Sequence, residues 1–130
     1  MAIQDFRSPK SRPNTTKYAV ALCRVSTEDQ FTKGLSVPEQ RQRIQKWAYE
    51  HNVNILKWVE LHHSAYRGLD EDPEVLELLE FAKNNAKVSL FLVDEKSRFA
   101  RRKYLRVVWQ EELRKHGVTV IGVSEPQYDR

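Results

Sequence analysis

Four short apolar runs alternate with three amphipathic stretches along this chain, and that alternation constrains the fold more than any other feature. The runs begin at Tyr18, Asn54, Val88 and Val118. The third, Val-Ser-Leu-Phe-Leu-Val, is the most hydrophobic and predicts a buried central strand. Strands that alternate with helices predict an α/β domain, in which helices cover both faces of a mostly parallel sheet.

Helix-start signals precede the first two of the three amphipathic stretches. Ser36-Val-Pro-Glu39 forms a capping box with proline in the first turn, which predicts a helix from about Val37 to His51. Asp72-Pro73-Glu74 begins the second helix, and the third runs from roughly Lys103 to His116 with Gly117 after its end. The residues expected to face the core are Ile44, Trp47, Ala48, Val75, Leu76, Leu78, Leu79, Phe81, Ala82, Leu105, Val108, Trp109 and Leu113.

Length and composition favour a single globular domain. The chain has 130 residues, of which 40% are hydrophobic and 31% charged. Residues 1–17 contain two prolines and little periodic apolar character, so we expect a flexible arm followed by one domain at 18–130. No apolar run approaches the roughly 20 residues of a membrane span, and no signal core is evident, which favours the cytoplasm. The single cysteine, Cys23, lies inside the first strand and is expected to be a small buried hydrophobe.

Arginines and a serine follow two of the predicted strands. Arg24 and Ser26 lie two positions apart at the end of the first strand, so they emerge on one side. Arg98 and Arg101 follow the central strand, and carboxyl ends of parallel strands meet at one edge of a sheet. Guanidinium groups match phosphate oxygens, which makes Ser26 a candidate nucleophile toward a phosphodiester. Taken alone, the first stretch also fits an ordinary sheet edge with a solvated arginine and a turn serine.

Other site chemistries have little support in this sequence. It contains neither a Gly-x-Gly-x-x-Gly nor a Gly-Lys-Ser/Thr loop for a nucleotide cofactor, and no Gly-x-Ser-x-Gly elbow for an esterase. The His62-His63 pair has no further ligand at metal-binding spacing, so we expect no metal. A signalling receiver domain would need clustered carboxylates where Arg-Val-Ser stands. The net charge of +4 permits a nucleic-acid partner without requiring one.

Three segments together resemble the catalytic domain of the serine recombinases, the family of resolvases, invertases and large serine integrases. Arg-Val-Ser-Thr-Glu-Asp-Gln within Tyr18–Gln30 resembles the family's nucleophile motif, and Leu35-Ser-Val-Pro-Glu-Gln40 is similar to the segment that follows it. Ser97-Arg-Phe-Ala-Arg101 resembles the Asp-Arg-Leu/Phe-x-Arg motif. The resemblance covers the chain from about Tyr18 to Glu125.

This resemblance implies a three-layer α/β/α resolvase-like domain with a mostly parallel, mixed sheet of four to five strands. It also implies a site-specific recombinase that integrates or otherwise rearranges DNA of mobile elements. Ser26 would form a 5′-phosphoserine with cleaved DNA, Arg24, Arg98 and Arg101 would cradle the phosphate, and Gln40 would support the site. No metal or small-molecule cofactor is implied. The implied partners are DNA and further copies of the chain, as dimers and a synaptic tetramer, in a bacterial or phage-encoded, nucleoid-associated protein.

The sequence departs from the family pattern at two positions. Ser97 stands where the motif usually has Asp, and Asp72 stands where an Arg usually precedes the helix-opening proline. Arg67 is a candidate for the missing charge. Family members continue into a dimerisation helix and a DNA-binding domain that this chain lacks, so we expect the isolated domain to be inactive. The alternative is a degenerate, non-catalytic module that binds protein or phosphate; on its own, Gln40 also fits a surface position.

Overall fold

A four-stranded parallel sheet in the order β2-β1-β3-β4 organises the computed structural model, which describes residues 16–25, 36–62 and 72–126. The elements along the chain are β1 (Lys17–Arg24), α1 (Val37–Glu50), β2 (Val53–Leu61), α2 (Pro73–Asn84), β3 (Val88–Val93), α3 (Lys96–Phe99), α4 (Lys103–Lys115) and β4 (Thr119–Gly122). Residues 1–15 of the expected arm lie outside the described part, and Lys17 already belongs to β1. No helix in the described ranges has the length and apolar character to cross a membrane.

The α/β fold class is confirmed, and all three strand pairings in the described sheet are parallel. We expected a mixed sheet, but the described residues contain no antiparallel pairing. The physical reason lies in the connections: helical segments link the successive strands β2, β3 and β4, so each strand re-enters the sheet at the same end.

Helices lie on both faces of the sheet, as expected for three layers. Val20 and Leu22 of β1 point into a core shared with α2 and α4, whereas Ala19, Ala21 and Cys23 point into a core shared with α1. This division follows from the alternation of side chains along a strand. The strand is therefore buried on both faces, which explains its continuous apolar run.

Side-chain caps hold the first turns of α1 and α2, and a glycine follows the end of α4. The capping box of α1 is present: the Glu39 N–H donates to Ser36 Oγ at 3.3 Å, and the Ser36 N–H donates to Glu39 Oε1 at 3.0 Å. Asp72 caps α2 by accepting the Glu74 N–H at 2.9 Å. Gly117 follows α4 with φ of +79°, a conformation that costs glycine little.

The prediction of a core position is wrong for two residues. Leu76 of α2 is 38% exposed and Val108 of α4 is 37% exposed, although the other members of both predicted faces are buried or half-buried. Each residue lies at the margin of its helix's apolar stripe. Within the described residues, no other element packs over either margin. The apolar stripe of each helix is therefore wider than the part of the helix that is buried.

Candidate active site

Gln40 and the backbone of Arg24 form a reciprocal pair of buried hydrogen bonds at the carboxyl end of β1. The Arg24 N–H donates to Gln40 Oε1 at 3.1 Å, and Gln40 Nε2 donates to the Arg24 carbonyl oxygen at 3.0 Å. Gln40 is 0% exposed and Arg24 is 5% exposed. The surface position that Gln40 suggested on its own is therefore wrong, and α1 carries this amide directly to the first strand.

The amide of Gln40 takes the place of a neighbouring strand. Pairing between β1 and β3 ends at Ala21 with Leu92, so it does not extend to Arg24. Backbone groups that are buried without partners are costly, and the side-chain amide of glutamine, like a peptide group, can both donate and accept a hydrogen bond. Gln40 therefore fixes the backbone from which the Arg24 side chain leaves the sheet.

A single helical turn, α3, carries Arg98 beside the same sheet. It contacts β1, β3 and β4. Phe99 anchors the turn because it is buried and meets Phe91 of β3 edge-on, with ring centroids 5.0 Å apart, and Trp109 of α4 in the same manner at 6.0 Å. Ala100 is also buried, whereas Arg98 is half-buried and Arg101 is exposed. The apolar residues of the motif thus hold the turn while its arginines remain near the surface.

Asp94 is a buried carboxylate between β3 and α3 that the site prediction did not include. It is 1% exposed, and its Oδ1 lies 3.5 Å from Arg43 Nη1 of α1. Burial raises the pKa of Asp94 above its ordinary value, while the positive charges of Arg43 and Arg98 oppose that rise. A polar residue directly after a buried strand was the available sequence signal for this group.

The structure describes four of the five predicted site residues. Arg24 and Gln40 are in contact. Arg98 lies on α3, which contacts β1, β3 and β4, and Arg101 follows α3 in the chain. Ser26 lies outside the described residues, as does Arg67. The catalytic roles remain predictions for all five residues to which they were assigned, Arg24, Ser26, Gln40, Arg98 and Arg101.

The two departures from the family pattern have definite structural settings. Ser97 is exposed, and its hydroxyl donates to Glu95 Oε1 at 3.4 Å. Asp72 is 7% exposed and acts as the cap of α2. A carboxylate at that position therefore serves the helix start, where it also complements the positive end of the helix dipole.

His62 is exposed, and no metal-ligating cluster occurs among the residues that the structure describes.

Comparison with known proteins gives one family and several similar structures. Residues 19–130 match the family model "Resolvase, N terminal domain". The fold is similar to the N-terminal catalytic domain of TP901-1 integrase, with TM-score 0.68 and 21% identity over 82% of this chain and 77% of that one. No curated protein shows significant sequence similarity to the chain.

Two further solved structures are similar over comparable lengths. A resolvase family site-specific recombinase from Streptococcus pneumoniae has TM-score 0.63 and 27% identity, covering 82% of this chain and 72% of that one. The C-terminal catalytic domain of ISC1926 TnpA, an IS607-like serine recombinase, has TM-score 0.64 and 21% identity, covering 82% and 70%.

Proposed function

Because this chain belongs to the resolvase N-terminal domain family and is a catalytic domain of the serine recombinase type, we propose that Ser26 cleaves DNA. Ser26 Oγ would attack a backbone phosphorus, forming an Oγ–P bond as the P–O3′ bond breaks. The serine gives up its hydroxyl proton, and the departing 3′ oxygen ends as a free hydroxyl. The 5′-phosphoserine retains the energy of the phosphodiester, so the strand can be rejoined without a cofactor.

The arginines supply the charge that this displacement needs. Negative charge accumulates on the phosphate oxygens in the transition state, and positioned guanidinium groups stabilise it. We assign this role to Arg24, Arg98 and Arg101. Gln40 acts through Arg24, since its amide holds the Arg24 backbone rather than the substrate.

The observation that carries the proposal is the buried pairing of Arg24 with Gln40 at the strand end that leads into Ser26. With Arg98 on a turn that contacts the same strand, the arrangement suits an anionic substrate.

The proposed partners are double-stranded DNA and further copies of the protein. Dimers that pair into a tetramer would hold two DNA sites during strand exchange. Exposed apolar side chains on α4 support self-association, since Tyr104 is 74% exposed and Val107 is 60% exposed. A DNA substrate would place the protein at the nucleoid, in the cytoplasm of a bacterium.

Replacement of Ser26 by alanine tests the nucleophile. The polypeptide at its natural length, incubated with DNA carrying its target site, is expected to yield a covalent protein–DNA adduct on denaturing gels. Ser26→Ala should abolish the adduct, because it removes the oxygen that we propose as the nucleophile. Ser97→Ala is the matched control: it removes an exposed hydroxyl beside Arg98 and should leave adduct formation intact. Equal adduct with Ser26→Ala and the unaltered protein would refute the assignment.

A further inference from the structure

The chain that follows β4 continues alongside the segment that leads from β3 into the motif arginines. The Val123 N–H donates to the Val93 carbonyl at 2.8 Å, and the Ser124 N–H donates to the Asp94 carbonyl at 3.0 Å. Ser124 Oγ donates to the same Asp94 carbonyl at 2.8 Å. The two segments thus run together from the end of β3 to the start of α3.

Glu125 completes this contact by capping α3. Its Oε2 accepts the Lys96 N–H at 3.2 Å, although the two residues are 29 positions apart. Lys96 is the first residue of the helix, and first-turn N–H groups have no partner inside a helix. The residue that ordinarily would cap it, Glu95, makes no side-chain capping bond. The cap of α3 therefore comes from the far end of the domain.

Gly122 makes room for this cap. A Cβ atom at position 122 would lie 2.3 Å from Glu125 Oε1 and 3.3 Å from the Lys96 nitrogen. The first distance is shorter than real Cβ contacts and the second is tight, so the carboxylate occupies the space that a side chain at position 122 would need. The absence of a side chain at Gly122 and the position of the carboxylate depend on each other.

Arg106 of α4 holds the chain just after α3. Arg106 Nη1 donates to the Ala100 carbonyl at 2.9 Å and to the Arg101 carbonyl at 3.2 Å. The segment between these attachments is a single helical turn followed by extended backbone at Ala100. One turn has too few internal hydrogen bonds to hold its own direction, so external contacts must set it.

We propose that Glu125 is a positioning residue for Arg98 and Arg101, acting through the start of α3. This inference rests on the proposed function, because it assigns to Glu125 the orientation of arginines that would bind the scissile phosphate. Glu125 touches no reacting atom. Its loss changes the placement of the guanidinium groups and therefore slows cleavage more than it weakens the binding of DNA.

A first measurement tests the cap without any DNA chemistry. Amide hydrogen exchange, followed residue by residue in the 130-residue chain, should show the Lys96 N–H exchanging about fivefold faster in Glu125→Ala, the change expected for one lost hydrogen bond. Glu125→Gln retains an acceptor oxygen and should keep most of the protection. Glu95→Ala is the matched control, since it removes an adjacent exposed carboxylate that makes no cap. Unchanged exchange in Glu125→Ala would overturn the inference.

A second measurement tests positioning in the polypeptide at its natural length. The rate of covalent adduct formation at saturating DNA should fall about tenfold in Glu125→Ala, a change of about 1.4 kcal/mol in the barrier. The DNA concentration that gives half the maximal rate should change less than twofold, and Glu125→Gln should restore most of the rate. Gly122→Ala should resemble Glu125→Ala, because it displaces the same carboxylate.

Each outcome separates this inference from the proposed function. If Ser26→Ala still forms the adduct, the nucleophile is wrong whatever Glu125 does. If Ser26 is required but Glu125→Ala cleaves at the unaltered rate, the positioning role is wrong. A rate loss that matches the unfolded fraction of Glu125→Ala, measured by chemical denaturation, would likewise reduce Glu125 to a stabilising residue and overturn the inference.

Discussion

The buried pair formed by Gln40 and the Arg24 backbone predicts a pH-dependent loss of stability for Gln40→Glu. The amide now accepts the Arg24 N–H and donates to the Arg24 carbonyl. A carboxylate would retain the acceptor but place a second oxygen against that carbonyl, and it would put a charge at a position that is 0% exposed. A buried carboxyl either remains charged or takes up a proton, whichever costs less.

Protonation sets the upper limit of this cost. A protonated carboxyl can donate to the Arg24 carbonyl as the amide does, so the charge penalty cannot exceed the free energy of protonation. With an ordinary glutamate pKa of about 4.3 and about 1.36 kcal/mol per pH unit, that limit is about 3.7 kcal/mol at pH 7. The same relation gives about 1 kcal/mol at pH 5.

The sign of the pH dependence follows from proton binding. The folded state raises the pKa of the introduced carboxyl, so it binds the proton more tightly than the unfolded chain does. Stability is therefore lost as the pH rises above about 4.3 and is recovered as the pH falls. We expect Gln40→Glu to approach the native free energy of unfolding at low pH.

Urea unfolding at pH 7 and pH 5 measures the effect, and Gln45→Glu provides the control. Gln45 is an exposed residue of the same helix, so the same charge is introduced there without burial. The free energy of unfolding should differ between the two variants by up to about 3.7 kcal/mol at pH 7 and about 1 kcal/mol at pH 5. Equal losses at pH 7, or a difference that does not narrow on acidification, would refute the reasoning.

Two further predictions concern Cys23 and Asp94, which are both buried and ionisable. Burial raises the pKa of the Cys23 thiol to about 12, and the residue is 0% exposed. The folded protein at pH 8 should therefore not react with a disulfide reagent that labels the unfolded chain fully. Rapid labelling of the native protein would contradict this prediction. Because burial raises the pKa of Asp94, its charge costs stability at neutral pH, and Asp94→Asn should increase the free energy of urea unfolding at pH 7 by an amount that shrinks toward pH 4. A lower stability than the unaltered chain at pH 7 would contradict that expectation.

Local signals in the sequence were sufficient for the main elements. The capping box at Ser36 and the proline after it located the start of α1, and the run Val88–Val93 gave β3 with the bounds that the structure shows. Both signals act through neighbouring residues, so no knowledge of the tertiary structure was required. The parallel arrangement followed from the alternation of these elements.

The features that the sequence did not reveal depend on distant contacts. Helix α3 has four residues, too few for any helical periodicity, and its cap is Glu125 from beyond β4. The burial of Gln40 depends on a backbone group of β1, which leaves no pattern in side-chain types. The exposure of Val108 depends on which parts of α4 another layer covers, and an apolar residue does not encode this.

The candidate site draws on both outer layers of the domain. Gln40 reaches the end of β1 from α1 on one face, whereas Phe99 fixes the Arg98 turn in the core of the opposite face. A chain that has docked only one layer, during synthesis or after partial unfolding, would position either Arg24 or Arg98, but not both, for the role proposed for them. We therefore expect DNA breakage to be confined to completely folded molecules, a safeguard for any cell whose chromosome is within reach of newly made enzyme.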